Sequence, residues 1–268
     1  MPRFRLDFVA KNMADKDNTV LYQVEDAIAR IILNRPEKRN ALNEALITGL
    51  EDALQQASDD AAVRVVVISG AGRDFCSGAD LASLQKIAGG SVAENAADAR
   101  SLMDLFVLLR QVQIPVVAAV RGKALAGGCG LASACDIVLA SSDARFGYPE
   151  VKIGFVPAMV MAILRRNVSE KRAFELITRG AEIGAEEAKQ LGLVNQVFAD
   201  EDLETEVTAY VRGFEKMSKS AIALTKKLLY QMDGMSFGAA LETGLDVNVI
   251  ARLTEDCQKG IAGFLKRE

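Results

Sequence analysis

Three short apolar runs are the feature that most constrains the fold of this chain. They read VRVVVISG at 63–70, VVAAV at 116–120 and DIVLA at 136–140, and none of them alternates apolar with polar residues. Runs of this kind are typical of strands that are buried on both faces of a sheet between helices. A glycine-containing turn follows each of the first two runs. The order of strand, turn, helix and strand predicts an α/β fold.

The first part of the chain carries start signals for further strands and helices. VLYQVE and AIARIILN are two β-rich runs that we predict to form a hairpin joined at Glu25-Asp26. Asn43 is placed to cap a helix whose apolar residues recur every three or four positions. Ser91 and Glu94 have the spacing of a capping box at the start of a second such helix.

The second part of the chain is predicted to be helical. From residue 169 onward the pattern is that of amphipathic helices, and Gly180 and Gly192 stand where two of them would stop. We divide the chain into an N-terminal extension at 1–18, a core at 19–199 and a helical C-terminal region at 200–268. This last region is expected to lie over the core or over a neighbouring subunit.

Composition and charge argue against several classes of partner. The chain has 268 residues and a formal net charge of −4, with its Lys and Arg residues scattered along it. A nucleic-acid binder or a membrane-surface protein would present a basic face, so neither partner is predicted. The longest apolar run, at 155–164, is about half of the roughly 20 residues that a membrane-spanning helix needs. The start of the chain lacks the long apolar segment of a secretion signal, and we expect a cytoplasmic protein.

The chain contains no histidine, which limits its chemistry. Proton transfer near neutral pH must then fall to a carboxylate, lysine, tyrosine or cysteine whose pKa is shifted by its surroundings. The cysteines, Cys76, Cys129, Cys135 and Cys257, lack the CxxC spacing of a zinc site. We therefore predict free, mostly buried thiols and no metal.

A cluster of glycines lies at 123–136, which reads KALAGGCGLASACD. Gly127, Gly128 and Gly130 each cost roughly 0.5–1 kcal/mol of backbone entropy in a regular segment. Their spacing does not fit the GxGxxG of a dinucleotide site, which argues against a nucleotide-dependent oxidoreductase, and no GK[ST] of a P-loop follows. Two interpretations remain: a turn that joins a strand to a helix, or a main chain left bare for close approach by a substrate.

Several glycine-containing motifs together resemble those of the crotonase, or enoyl-CoA hydratase/isomerase, superfamily. In chain order the motifs are SGAD at 77–80, PVVAAVRGKALAGGCGLASACDIVLA at 115–140 and ARFGYPEVKIGFVP at 144–157. The likeness extends from NRPEKRNALN at 34–43 to GIAGFLKRE at 260–268 and so covers nearly the whole chain. It implies a crotonase-like ββα spiral with a helical C-terminal region, assembled as a homotrimer or a dimer of trimers. It also implies an acyl-CoA site in the core and a role in fatty acid metabolism.

The resemblance implies a catalytic site made largely of main-chain groups. In that family two backbone N–H groups hold the thioester oxygen of an acyl-CoA, and by motif they belong here to Ala79 and Gly127. One of the two glutamates of the family's hydratases maps to Glu150. Gly130 occupies the position of the other, which leaves an open space where a carboxylate would stand. Water addition and double-bond migration by a single base therefore both remain open.

Four apolar side chains are expected to surround the predicted base. Phe146, Val151, Ile153 and Phe155 lie near Glu150 in the sequence. By keeping water away from its carboxyl group they would raise the pKa of Glu150 toward a range useful for proton transfer. The alternative is an exposed Pro-Glu turn without chemistry.

The resemblance also places residues around the CoA moiety. Main-chain carbonyls around Ser77, Ala79 and Leu81 resemble the family's adenine-binding rim. Phe264 and Arg267 resemble tail residues that reach the CoA of a neighbouring subunit; alternatively they are a buried anchor and a solvated charge. CoA is expected as part of the substrate, with no separate cofactor.

Charged residues of the same motifs have two possible roles. Arg35, Lys38 or Arg39 would meet the CoA phosphates, or they are solvated surface. Asp80 and Asp136 belong to the motifs as well. We interpret these two as hydrogen-bonding carboxylates of a loop or a helix end and not as catalysts.

These observations predict an enoyl-CoA hydratase/isomerase-type enzyme that acts on an unsaturated acyl-CoA through a thioester enolate. A Δ3,Δ2-enoyl-CoA isomerase or another one-base reaction is the alternative that Gly130 favours. A further alternative is a CoA-ester-binding protein that kept the fold with reduced catalysis.

Overall fold

Two sheets organise the computed structural model, which describes residues 18–266. The strands are β1 (Val20–Glu25), β2 (Ile28–Leu33), β3 (Val65–Gly70), β4 (Val116–Val120), β5 (Lys123–Leu125), β6 (Ile137–Ser141), β7 (Arg145–Gly147), β8 (Glu182–Gly184) and β9 (Gln196–Phe198). The larger sheet has the spatial order β1-β2-β3-β4-β6-β9, and the smaller has the order β5-β7-β8. From β2 to β9 all neighbours in the larger sheet are parallel.

Helices connect these strands and make up the C-terminal region. They are α1 (Glu44–Asp59), α2 (Leu81–Gly89), α3 (Val92–Gln111), α4 (Gly127–Ala134), α5 (Ala158–Asn167), α6 (Glu170–Arg179), α7 (Ala185–Leu191), α8 (Leu203–Val211), α9 (Lys219–Gln231), α10 (Phe237–Leu253) and α11 (Glu255–Leu265). The alternation of strands and helices confirms the predicted α/β class.

The predicted hairpin is confirmed. β1 and β2 pair in antiparallel fashion along their full length. The chain reverses at Asp26 and Ala27, whose φ angles are 47° and 60°. Positive φ at both central residues is characteristic of the type I′ turn, whose twist matches that of the two strands.

The predicted helix ends are also confirmed. The side chain of Asn43 caps α1, and Ser91 with Glu94 forms a capping box at the start of α3. Gly180 and Gly192 follow α6 and α7 in the left-handed conformation, with φ of 57° and 92°. Glycine adopts this conformation without the penalty that a side chain brings, and so it ends a helix cleanly.

Helices cover both faces of the larger sheet. In β3, Val66 and Ile68 belong to a main core shared with α1, α3 and α4, whereas Val65 and Val67 belong to a second cluster that contains residues of α8. All four side chains are at most 2% exposed. A strand buried on both faces has no polar side, which explains why this run does not alternate.

The smaller sheet was not visible in the sequence. Its strands have three residues each, which is too short to produce a periodic pattern.

β8 and β9 lie beyond residue 169, where the sequence predicts helix only, so that prediction is wrong at these two strands. Their main-chain partners come from distant parts of the chain, β7 for β8 and β6 for β9.

The last three helices contribute little to the core of this chain. Among the described residues of α9, α10 and α11, Lys226 alone is buried. α10 carries an apolar row whose side chains are 50–81% exposed, at Phe237, Leu241, Leu245, Val249 and Leu253. An apolar row of this size, left uncovered by the rest of residues 18–266, is typical of an interaction surface.

Some sequence predictions fall at the ends of the chain. All of the predicted N-terminal extension except residue 18, and the predicted CoA contact Arg267, lie outside the described residues. The predicted boundary at 199–200 falls in the turn between β9 and α8.

Over residues 18–266, the helices are too short or too polar to span a membrane.

Candidate active site

Two loops of the candidate site run side by side. Cys76 and Ala124 form a parallel bridge, held by main-chain hydrogen bonds of 3.0 and 2.9 Å. Beyond this bridge both segments turn, at Gly78 and Ala126, whose φ angles are 97° and 50°. A Cβ atom built on Gly78 would lie 3.7 Å from the Gly127 nitrogen, which confirms that the two loops are in contact. The structure therefore brings the two predicted oxyanion donors together.

Gly78 sets the direction of the Ala79 N–H group. In an extended chain successive N–H groups point to opposite sides, and the Ser77 N–H donates to the segment at 39–42. Regular alternation would turn the Ala79 N–H toward the same segment. Gly78 has a φ of 97°, which breaks the alternation. The Gly78 carbonyl accepts from the Leu42 N–H at 2.7 Å, and the Asp80 N–H donates to the Leu42 carbonyl at 2.9 Å, so these two groups face the segment instead. The Ala79 N–H consequently points away from that segment.

Gly127 is the first residue of α4 and supplies the second free N–H group. A first helical residue has no acceptor within its own helix, and among the described residues neither this N–H nor that of Ala79 has an acceptor. Ala79 is exposed and Gly127 is half-buried. Two such donors at the positive end of a helix stabilise a developing negative charge.

The turn before α4 has an unusual backbone. Ala126 has a φ of 50° and a ψ of −126°. Conformations of this kind cost of order 1–3 kcal/mol for a residue with a side chain, and they cluster at functional sites. The turn directs the chain from β5 into α4 beside the loop of Ala79, since a Cβ built on Gly78 would lie 2.8 Å from the Cβ of Ala126.

The other glycines of the cluster allow close packing. A Cβ on Gly128 would lie 2.2 Å from the carbonyl oxygen of Cys76. A Cβ on Gly130 would lie 2.3 Å from Cγ1 of Val160 in α5 and 3.2 Å from Cζ of Phe106 in α3. The prediction of an open space beside Gly130 is therefore wrong, because apolar side chains of two other helices fill it.

We expect Gly130→Ala to lower the free energy of unfolding by about 1–3 kcal/mol, as is typical when a packed core receives an extra carbon. The matched control is Gly260→Ala in α11, where an added Cβ has no neighbour within 4 Å among the described residues. That change should be neutral or stabilising by about 0.4–1 kcal/mol. Urea unfolding of both variants provides the comparison. Equal stability of Gly130→Ala and the unmodified protein would contradict the tight packing at this position.

Glu150 lies in a short 3₁₀ helix, Pro149–Ile153, that follows β7. Its Oε2 atom is buried and has no hydrogen-bond partner among the described residues. Burial raises the pKa of this carboxyl group, and a hydrogen bond from its own main-chain N–H acts in the opposite direction. A carboxylate with a raised pKa is a better proton acceptor than an exposed glutamate.

The charge of Glu150 influences two buried side chains, those of Cys129 and Tyr148. Burial raises the pKa of the Cys129 thiol to about 11, and the charge of Glu150 adds to this rise. Burial also raises the pKa of Tyr148, again with a contribution from Glu150. Cys129 is two residues beyond Gly127, so the charge of Glu150 acts on the helix that carries one of the free N–H groups.

Of the four side chains predicted to shield Glu150, one is buried and three are exposed. Phe146 is 1% exposed, but Val151, Ile153 and Phe155 are 37%, 71% and 47% exposed. The prediction that these three residues exclude water from the carboxyl is therefore wrong for the chain by itself. Their place in an exposed 3₁₀ turn and the loop after it explains the difference.

The comparison with known proteins assigns the chain to a family. Residues 23–268 match the sequence profile described as enoyl-CoA hydratase/isomerase. The chain belongs to this family. A Thermus thermophilus protein is 40% identical over 248 residues, which are 92% of this chain and 98% of that protein. Its name is enoyl-CoA hydratase, given as an unconfirmed assignment. The 2,3-dehydroadipyl-CoA hydratase of Escherichia coli is 35% identical, over 91% of this chain and 94% of its own.

Solved structures of the enoyl-CoA hydratase/isomerase family have the same fold. An enoyl-CoA hydratase of Mycobacterium smegmatis superimposes with a TM-score of 0.88 at 31% identity, over 93% of this chain and 97% of its own. The human enoyl-CoA hydratase domain-containing protein 3 also gives 0.88, at 30% identity over 93% and 98% of the two chains. The crotonase fold predicted from the motifs is thereby confirmed.

Most residues that family resemblance places around CoA are accessible. Lys38 and Arg39 are exposed and Ser77 is half-buried. Leu81 begins α2 with a side chain that is 78% exposed. Phe264 in α11 is 67% exposed, so the alternative of a buried anchor is wrong in this chain. The contacts of all these residues with CoA stay a prediction.

Arg35 differs from the other predicted CoA residues because protein groups already bind it. Its guanidinium donates to Oδ2 of Asp80 and to the carbonyl of Ala41, both at 2.6 Å. Asp80 also caps α2 by accepting from the Ala82 N–H at 2.9 Å. That main-chain hydrogen bond, followed by the one from Arg35, holds the pKa of Asp80 below its usual range. The sequence gives no sign of this pair, since 45 positions separate its two members.

Asp136 has the hydrogen-bonding role that the sequence predicts. Its Oδ2 accepts from the Val116 N–H and from Nζ of Lys226, both at 2.7 Å, and its Oδ1 accepts from the Tyr230 hydroxyl at 2.6 Å. Burial lowers the pKa of Lys226, and the charge of Asp136 opposes this shift. These hydrogen bonds attach α9 to the core of the protein.

The three most buried cysteines have thiols whose pKa is raised by burial. Cys76, Cys129 and Cys135 are free and buried, and Cys257 is free and half-buried, as predicted. Burial raises the pKa of Cys76 to about 12, so its thiol stays protonated at neutral pH. In the part of the chain that the structure describes, no group of three or more His, Cys, Asp or Glu side chains is arranged to hold a metal ion.

Proposed function

We propose that this protein acts on an unsaturated acyl-CoA, with its thioester oxygen held between the N–H groups of Ala79 and Gly127. Glu150 removes a proton from the acyl chain, and the electrons of the broken C–H bond move onto the thioester oxygen to form an enolate. The two N–H groups stabilise that oxygen as its negative charge develops. CoA enters as part of the substrate, and we propose no separate cofactor.

The unpartnered Oε2 of Glu150 is the observation that carries this proposal. A buried acceptor without a partner costs about 1–3 kcal/mol, and such groups call for an explanation such as a catalytic role. The raised pKa of the same carboxyl supports a role in proton transfer. Two free main-chain donors in the adjacent loops supply the complementary charge stabilisation.

Within the family we favour double-bond migration over water addition. Migration needs one carboxylate, which takes a proton from one carbon and returns it to another. Water addition by two glutamates also needs a group that holds the water, and Gly130 offers no side chain for this. Val160 and Phe106, both apolar, fill the adjacent space. Relatives that are named hydratases favour water addition instead, and the experiment must therefore measure both reactions.

A panel of 2-enoyl-CoA and 3-enoyl-CoA thioesters of different chain lengths tests the proposal. Conversion of 3-enoyl to 2-enoyl thioesters should be faster than formation of hydroxyacyl products, with both followed by chromatography. Faster water addition would overturn the one-base assignment. Binding of CoA esters without turnover of either substrate would support a CoA-ester-binding protein with reduced catalysis.

Self-association is part of the same proposal. A homotrimer or a dimer of trimers would cover the exposed apolar row of α10 with another copy of the chain. Light scattering gives the mass in solution, and a mass of one chain would contradict this. We also propose a cytoplasmic location, although the zebrafish relative is named as a mitochondrial protein; fractionation of the source cells tests it.

A further inference from the structure

A shielded ion pair lies directly beside Ala79. The side chains of Arg35 and Asp80 are 14% and 11% exposed, and their nearest charged atoms are 2.6 Å apart. Arg35 also donates to the main-chain carbonyl of Ala41 at 2.6 Å. Removing one member of a largely buried pair leaves the other charge uncompensated, which strongly destabilises the folded protein. The pair therefore holds its two segments in a fixed arrangement.

The pair joins the two segments that hold Ala79 in place. Leu42 bonds to the main chain on both sides of Ala79, accepting from the Asp80 N–H and donating to the Gly78 carbonyl. Arg35 donates hydrogen bonds to Ala41, the residue before Leu42, and to Asp80, the residue after Ala79. The planar guanidinium fork presents its donors in a fixed geometry, so it sets the distance between these two points.

We propose that Arg35, acting through Asp80, positions the Ala79 N–H as an oxyanion donor. Arg35 is then a positioning residue and not a ligand of the CoA phosphates. This inference rests on the proposed function of the site. It also revises the role that family resemblance implies for Arg35.

The contacts of Arg35 argue against phosphate binding. Two of its donor groups are already committed to protein acceptors. The carboxylate of Asp80 at 2.6 Å would also repel a phosphate that approached the same guanidinium. Lys38 and Arg39 are exposed in the same segment and have the accessibility that a phosphate ligand needs.

The first experiment measures the N–H contact without any turnover. Butyryl-CoA labelled with ¹³C at the thioester carbonyl is bound to the protein, and its carbonyl band is recorded by infrared difference spectroscopy. In the unmodified protein the band should shift to lower wavenumber, because hydrogen bonds weaken the C=O bond. In Arg35→Met the shift should be smaller although the ligand is still bound. Arg35→Lys should restore only part of it, since an ammonium group cannot replace the two-pronged fork.

The second experiment separates positioning from phosphate binding. Enoyl thioesters of CoA and of N-acetylcysteamine, which carries no phosphate, are compared as substrates. A misplaced donor can cost up to about 10²-fold in rate, so Arg35→Met should lower kcat by about 10–10²-fold on both substrates with little change in KM. Arg172→Met, which removes an arginine from an exposed surface pair with Glu175, is the control and should keep the kcat of the unmodified protein. Circular dichroism and thermal unfolding report whether each variant folds.

The outcomes distinguish this proposal from the proposed function. A loss confined to the CoA thioester, through a higher KM, would make Arg35 a phosphate ligand and overturn the positioning role. An infrared shift that Arg35→Met leaves unchanged would do the same. Absence of turnover in the unmodified protein would overturn the proposed reaction, whereas the infrared comparison would still decide whether Arg35 positions Ala79.

Discussion

Glu150→Gln is expected to lower kcat for the preferred enoyl-CoA by about 10²–10⁴-fold, the usual contribution of a general acid or base. Glutamine has nearly the same shape as glutamate but cannot accept a proton at neutral pH. Substrate binding depends on other groups, so KM should change little. Steady-state kinetics on both 2-enoyl-CoA and 3-enoyl-CoA provide the measurement.

The pH dependence gives the same experiment a second result. Glu150 must be ionised to accept a proton, so kcat/KM of the unmodified protein should fall as the pH is lowered through the pKa of this group. Because burial raises that pKa, the fall should begin at a higher pH than for an exposed glutamate. Glu150→Gln should lack this acidic limb in its residual activity. Glu201→Gln, in the exposed turn before α8, is the control and should retain both the rate and the limb. Unchanged turnover of Glu150→Gln on both substrates would remove Glu150 from the mechanism.

Gly78→Ala is expected to lower kcat by about 10²–10³-fold, the loss that follows removal of one oxyanion donor. Gly78 has a φ of 97°, which disfavours a residue with a side chain, and its new Cβ would lie 2.8 Å from the Cβ of Ala126. The chain must shift to relieve both problems. Such a shift turns the Ala79 N–H and separates the two loops that carry the donors.

Gly234→Ala is the matched control for this change. Gly234 has a φ of 84°, and an added Cβ there has no neighbour within 4 Å among the described residues. Both variants should lose about 1–2 kcal/mol of stability from the left-handed backbone, but Gly234→Ala should keep its kcat. Thermal unfolding and steady-state kinetics of the two variants give the comparison. If Gly78→Ala is destabilised and yet keeps full kcat, Gly78 does not orient the donor.

Features that depend on neighbouring residues were predictable from the sequence. The hairpin, the caps at Asn43 and Ser91 and the helix stops at Gly180 and Gly192 all follow from the backbone preferences of a few adjacent residues. The motifs likewise indicate the family, and the structure brings the loops of Ala79 and Gly127 together as they imply. The strands of the smaller sheet were missed because main-chain pairing with distant strands, and not side-chain pattern, creates them.

The surroundings of Gly130 illustrate a different limit of sequence analysis. A glycine at the position that the family resemblance assigns to a glutamate suggests free space, but Val160 and Phe106 from two other helices occupy it. How two helices pack against a third depends on the whole core, since interiors are close-packed. The pairing of Arg35 with Asp80 is hidden for the same reason, because its geometry depends on how two distant loops meet.

By itself the sequence determined the hairpin, the three buried strands, the helix caps and stops, the lack of histidine chemistry and the family, because these depend on composition and on local spacing. Only the tertiary structure decided which main-chain donors are free, that Oε2 of Glu150 is buried without a partner, and that Arg35 is engaged by Asp80. These properties depend on contacts between residues far apart in the chain, and such contacts exist only once the loops have taken their register against one another.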